Sequence, residues 1–75
     1  GETSWKLLAE IKSHAETRDL PVIVVTVTNR EQKARALGAD EFVIKPLDQK
    51  WLSRKLAALA RRRGPISRIL VIDDD

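Results

Sequence analysis

The sequence has no cysteine, a single histidine, no glycine-rich loop and no Ser/His/Asp set. The absence of cysteine excludes disulfides and thiolate chemistry and is compatible with a reducing cytoplasm, where we expect the chain to reside. With so few groups suited to nucleophilic or acid–base chemistry, we do not expect an enzyme. No run of about 18 apolar residues predicts a membrane span, and no basic, hydrophobic N-terminus indicates a signal peptide.

The length of 75 residues, of which 43% are hydrophobic and 33% charged, predicts one small folded domain. A chain of this size buries only about 60% of the surface that its unfolded form exposes, so its core is marginal. We therefore expect stabilisation by a bound ion, a partner or a second copy of the chain.

The net charge of +3 is unevenly distributed. Residues 1–49 are nearly neutral, residues 50–68 contain seven basic side chains and no acidic one, and residues 73–75 are three aspartates. A basic segment of this kind either solvates the outer face of a helix or binds phosphates or acidic partners. The candidate contacts for such a partner are Lys50, Arg54, Arg61, Arg62, Arg63 and Arg68.

Helix and strand signals alternate along the chain. The spacing predicts helices over 5–15, 30–37 and 49–63 and strands over 21–27, 41–45 and 66–72. Ser4 and Asp48 are the expected N-caps of the first and third helices. Thr28 and Glu31 fit a capping box for the second helix, which Gly38 should end in a left-handed conformation.

Alternation of strands with helices predicts an α/β fold in which a parallel sheet carries helices on both faces. Functional groups of such sheets gather at the carboxyl ends of the strands. The polar groups expected there are Thr26, Lys45 next to Pro46, and Asp73–Asp75. The aspartates suit a divalent cation such as Mg²⁺, or they are a solvated chain end. Lys45 either faces an anionic group or is a surface lysine.

Two stretches resemble a response-regulator receiver domain. Residues 21–26, Arg30–Glu31 and the Gly-Ala-Asp and Lys-Pro motifs of residues 36–46 are similar to the family's C-terminal half. Residues 69–75, Ile-Leu-Val-Ile-Asp-Asp-Asp, resemble its first strand. The resemblance implies a flavodoxin-like fold and a relation to two-component phosphorelay signalling.

The resemblance also assigns roles to particular residues. Thr26 matches the hydroxyl that senses the phosphoryl group, and Lys45 matches the lysine that pairs with it. Phe42 matches the aromatic switch residue, and Asp73 and Asp74 match the Mg²⁺-binding acidic pair. The bond between Lys45 and Pro46 is often cis in this family, and we expect the same isomer here.

The order of these segments departs from that of the family. We interpret residues 1–63 as the C-terminal half of a receiver, 64–65 as a linker and 66–75 as the first strand of a receiver. A counterpart of the strand with the phosphoacceptor aspartate is missing, so ordinary aspartyl phosphorylation is not expected. The chain is either a half-domain or a fragment of a tandem-receiver protein.

Half of a receiver leaves an apolar strand edge, which monomeric proteins avoid. The last strand either lies beside residues 21–27 or pairs with another chain, and we expect a homodimer through that strand. The leading hypothesis is a non-catalytic interaction module of two-component signalling, whose partners are a second copy, another receiver or a signalling protein. A divalent-cation-binding protein that uses Asp73 and Asp74 is the first alternative. Nucleic-acid binding by the basic third helix is the second and the less expected, because no aromatic ladder accompanies the basic residues.

Overall fold

Helices and strands alternate throughout the computed structural model, which describes residues 2–64 and 68–74. The helices are α1 (Glu2–Ser13), α2 (Glu31–Ala36) and α3 (Gln49–Arg63), and the strands are β1 (Val22–Thr26), β2 (Glu41–Ile44) and β3 (Leu70–Asp74). The predicted α/β class and the predicted element order are both confirmed. Among the described residues, no helix is long and apolar enough to cross a bilayer.

The three strands form one parallel sheet in the order β2-β1-β3. β1 is central, and each of its residues is buried, as the β-branched run predicts for a strand covered on both faces. The sequence left two placements open for the last strand. In the structure it lies beside β1, with Val22 aligned with Leu70 and Thr26 aligned with Asp74. The result is a three-stranded α/β unit consistent with half of a flavodoxin-like fold.

The core has two halves, one on each face of the sheet. On one face, Trp5 and Leu8 of α1 and Ala34 of α2 pack on residues of all three strands, including Phe42 and Ile72. On the other face, α3 contributes the buried Leu59 and the half-buried Trp51, Leu52 and Leu56. This second half-core contains Ile23, Val25 and Val43, so α3 covers mainly β1 and β2. Val71 of β3 stays 58% exposed.

The helix boundaries agree with the predictions where a strong local signal exists. α3 begins and ends at the predicted residues, and Asp48 caps it by accepting hydrogen bonds from the backbone N–H groups of Lys50 (2.9 Å) and Trp51 (3.5 Å). Gly38 follows α2 with a φ of 100°, the left-handed conformation predicted for it.

Three local predictions are wrong. α1 begins at Glu2, so Ser4 lies inside the helix and is not its N-cap. The capping box does not form because α2 begins after Arg30 without a side-chain cap, while the backbone N–H of Thr28 donates to Thr26 Oγ1 (3.0 Å). β3 continues beyond Ile72 to Asp74, since its pairing with β1 extends to the end of β1. The strand also begins later than predicted, at Leu70, because the described residues Arg68 and Ile69 precede it; the predicted first residue, 66, lies outside the described residues.

A partly buried ion cluster closes the amino edge of the sheet. Asp40 Oδ2 accepts from Lys12 Nζ (2.8 Å) and from the backbone N–H of Val22 (2.8 Å), and Asp40 Oδ1 accepts from Arg63 Nη1 (2.7 Å). Arg63 also donates to the carbonyl of Asp19. We call Lys12, Asp40 and Arg63 the Asp40 cluster. It joins the ends of α1 and α3 to the starts of β1 and β2.

Candidate functional site

The carboxyl edge of the sheet is where the sequence predicts chemistry, and Lys45 and Asp73 form an ion pair there. Lys45 Nζ lies 3.0 Å from Asp73 Oδ2. The Lys45 side chain is 30% exposed and that of Asp73 is 57% exposed, so this is a solvated pair. Lys45 follows β2, Asp73 lies on β3, and the two side chains meet across the end of β1 because both outer strands are parallel to it.

Thr26 is at the same edge but is engaged elsewhere. Its side chain is 1% exposed, and its hydroxyl donates to the carbonyl of Thr28 and accepts from the Thr28 N–H. Val25, the preceding residue, packs in the half-core under α3 and is aligned with Asp73. Successive side chains of a strand point to opposite faces, so Thr26 and Asp73 project from opposite faces of the sheet.

Phe42 and Pro46 complete the residues assigned by the resemblance. Phe42 is buried in the half-core under α1 and α2. It is aligned with Val24, two residues before Thr26, the last residue of β1. The peptide bond between Lys45 and Pro46 is cis. The structure thus brings together Lys45 and Asp73, while Thr26 and Phe42 occupy the other face.

The two aspartates assigned to a cation also separate. Asp73 and Asp74 are consecutive residues of an extended strand, so their carboxylates lie on opposite faces. Asp74 is aligned with Thr26, and Asp73 is aligned with Val25 and paired with Lys45. Across residues 2–64 and 68–74, no group of three or more His, Asp or Glu side chains is arranged to hold a metal ion.

This arrangement predicts weak binding of Mg²⁺, with a dissociation constant in the millimolar range, about 4 kcal/mol of binding free energy. A cation at Asp73 competes with the ammonium of Lys45, and an exposed carboxylate is a poor ligand by itself. Titration calorimetry of the wild type and of Asp73→Asn/Asp74→Asn is the measurement. A micromolar affinity, or an equal response from both proteins, would contradict a weak site at these aspartates.

Glu41 carries a buried carboxylate that the sequence pattern did not identify as a candidate. The Glu41 side chain is only 8% exposed and is contacted by Arg35 Nη2 (3.2 Å), Lys55 Nζ (3.6 Å) and Arg62 Nη2 (3.9 Å). The sequence did contain a signal for this site, namely the two acidic residues Asp40 and Glu41 at the start of an apolar strand. Helix C-termini lie near strand N-termini in βαβ units, so the basic last turns of α2 and α3 reach Asp40 and Glu41.

These contacts change the interpretation of the basic third helix. Lys55 and Arg62 face Glu41, Arg63 faces Asp40, and Lys55 also lies over the Trp51 ring at 5.3 Å. Three of the six basic side chains of α3 are therefore paired with carboxylates of the protein itself. Lys50, Arg54 and Arg61 remain exposed on α3.

Sequence comparison finds relatives among bacterial regulators. The phosphate regulon transcriptional regulatory protein PhoB of Klebsiella pneumoniae is 33% identical over 70 residues, and PhoB of Escherichia coli (strain K12) is 32% identical over 70 residues. Each alignment covers 89% of this chain and 31% of the relative. PhoB of Rhizobium meliloti (strain 1021) is 31% identical over 68 residues, which cover 87% of this chain and 30% of that protein.

The similarity supports a relationship to the response regulators of two-component signalling. This is the family that the Gly-Ala-Asp and Lys-Pro motifs resemble. The chain spans about a third of the length of the curated relatives it matches. No protein-family model matches the chain, and no solved structure matches it significantly.

Proposed function

We propose that this chain is a non-catalytic, receiver-derived interaction module of two-component signalling and that it associates with a second copy through β3. The observation that carries the proposal is the position of β3. It lies at the edge of the sheet, directly beside the central strand, and ends in the acidic residues that resemble the first strand of a receiver. An edge strand with an exposed apolar side chain is a template for pairing with another chain.

The carboxyl edge supports a role without catalysis. The ammonium of Lys45 is paired with Asp73, and the hydroxyl of Thr26 is bonded to Thr28. The groups that the resemblance assigns to phosphoryl recognition are therefore engaged with the protein itself. Neither alternative has a comparable observation in its favour, since Asp73 and Asp74 diverge and part of the basic helix faces Asp40 and Glu41.

The test is the mass of the particle in solution. Light scattering at micromolar concentration should report about 17 kDa, twice the chain mass of 8.5 kDa. Val71→Lys places a charge on the exposed side of β3 and should shift the particle toward the monomer, because lysine on an edge strand opposes pairing. A folded monomer in the wild type at this concentration contradicts the proposal.

Val27→Lys is the matched control. Val27 is 59% exposed and Val71 is 58% exposed, but Val27 follows β1 and does not lie on β3. The same substitution there adds the same charge and should leave the dimer intact. Equal dissociation in both variants would place the interface elsewhere and would contradict the use of β3.

A further inference from the structure

The backbone of β3 presents alternate residues to its two sides. The N–H of Leu70 donates to the carbonyl of Pro21 (2.9 Å), and Leu70 is aligned with Val22. In a parallel ladder, every second residue directs its N–H and C=O to the same neighbour. Leu70, Ile72 and Asp74 therefore bond to β1, and the backbone groups of Ile69, Val71 and Asp73 point to the open edge.

The charges of this segment are asymmetric along its length. Arg68 is exposed just before β3, and Asp73 and Asp74 end the strand. Two such strands placed side by side in parallel would set the aspartates against each other, and like charges opposite one another are destabilising. An antiparallel arrangement instead sets the basic start of each strand against the acidic end of the other.

The middle of the segment carries its exposed apolar group. Val71 is 58% exposed and lies midway between Arg68 and Asp74. α3 covers mainly the other two strands, and Val71 does not belong to the half-core beneath that helix. Its backbone also points outward, as the pairing with β1 requires. Val71 is thus the midpoint of the charged segment, has an exposed apolar side chain and directs its backbone groups to the open edge.

We propose that two copies pair antiparallel through β3, with Val71 opposite Val71 of the second copy and Arg68 opposite Asp74 of the second copy. This pairing rests on the proposed function, whose interface it specifies. The two Val71 residues exchange backbone hydrogen bonds, Ile69 faces Asp73 of the second copy, and both three-stranded sheets join into one six-stranded sheet. The isologous contact closes on itself and forms a dimer rather than a filament.

The decisive test uses the absence of cysteine from the chain. Directly opposed, hydrogen-bonded residues of antiparallel strands have Cα atoms about 5.5 Å apart, which lies within disulfide geometry. Val71→Cys should therefore form a covalent dimer under mild oxidation, visible on a non-reducing gel. Val27→Cys, equally exposed but off the strand, is the control and should cross-link at least tenfold more slowly.

The ionic part of the pairing has its own test. Arg68→Glu replaces two attractive cross-strand pairs by two repulsive ones and should raise the dimer dissociation constant about tenfold. Arg54→Glu makes the same change of net charge at an exposed position of α3 and should leave the constant within about twofold of the wild type. Equal effects from the two variants would overturn the assigned register.

The failure of the pairing and the failure of the proposed function give different results. A 17 kDa particle in which Val71→Cys cross-links no faster than Val27→Cys overturns the antiparallel pairing and leaves the interaction module standing. A folded 8.5 kDa monomer overturns both. Two results together support the pairing: Val71→Cys cross-links rapidly, and the dimer is weakened by Arg68→Glu but not by Arg54→Glu.

Discussion

Replacing Asp40 by alanine should lower the free energy of unfolding by about 3 kcal/mol, because it leaves buried charge behind. Asp40 accepts from Lys12, Arg63 and the backbone N–H of Val22, and its own side chain is 17% exposed. Lys12 is only 13% exposed, so its ammonium loses its carboxylate partner without gaining full hydration. The Val22 N–H loses its acceptor at the start of the central strand.

The measurement is urea denaturation followed by far-UV circular dichroism, at one protein concentration because dimerisation contributes to apparent stability. A 75-residue domain has only about 4 to 11 kcal/mol to lose, so the transition should move strongly toward low urea. Glu31→Ala is the matched control. Glu31 pairs with Arg35 at 3.3 Å while 53% exposed, and its loss should cost less than about 0.5 kcal/mol. Similar losses in both variants would contradict a structural role for the Asp40 cluster.

Gly38→Ala should destabilise the fold by a similar amount, about 3 kcal/mol, from backbone strain and overpacking together. Gly38 has a φ of 100°, which side chains rarely adopt, and a Cβ there would lie 2.9 Å from Lys12 Cγ. Lys12 cannot easily withdraw, since its ammonium is bonded to Asp40 and to the carbonyls of Arg18 and Leu20. The substitution therefore disturbs the Asp40 cluster from the opposite side.

Gly64→Ala separates the two causes. Gly64 also has a positive φ, 81°, but nothing lies within 4 Å of the Cβ it would gain. Its substitution should cost only the conformational part, about 1 to 2 kcal/mol. In denaturant melts, the larger loss at Gly38 should shrink when Lys12 is also changed to alanine, because the two residues are in contact. Additive losses in the double variant would show that the close approach to Lys12 has no energetic effect.

Local signals in the sequence were sufficient to predict the positions of most of the helices and strands. The cap at Asp48, the basic last turn and Gly64 bound α3 correctly, and the β-branched run located the buried central strand. These signals work because a cap or an apolar period acts within a few residues of the chain. The same reasoning failed at Thr28, where a capping-box pattern competes with a turn in which Thr26 binds the Thr28 backbone.

The candidate site was predicted only in part. Lys45 and Asp73 were both placed at the carboxyl edge by the element order, and their ion pair follows if the last strand lies beside β1. The separation of Asp73 from Asp74 was not determined by the pattern, since a bend after Ile72 and a continued strand were both open. Because β1 pairs with β3 as far as Thr26, its last residue, β3 stays extended through Asp74.

The sequence by itself determined the α/β class, the order of the elements, the apolar faces and the uneven charge. Each of these depends on neighbouring residues or on a short period. Only the tertiary structure decided that β3 lies beside β1, that Thr26 and Asp73 point to opposite faces, and that Lys12, Asp40 and Arg63 meet. These outcomes depend on contacts between residues far apart in the chain, and strand register and ion pairing across elements exist only once those segments have come together.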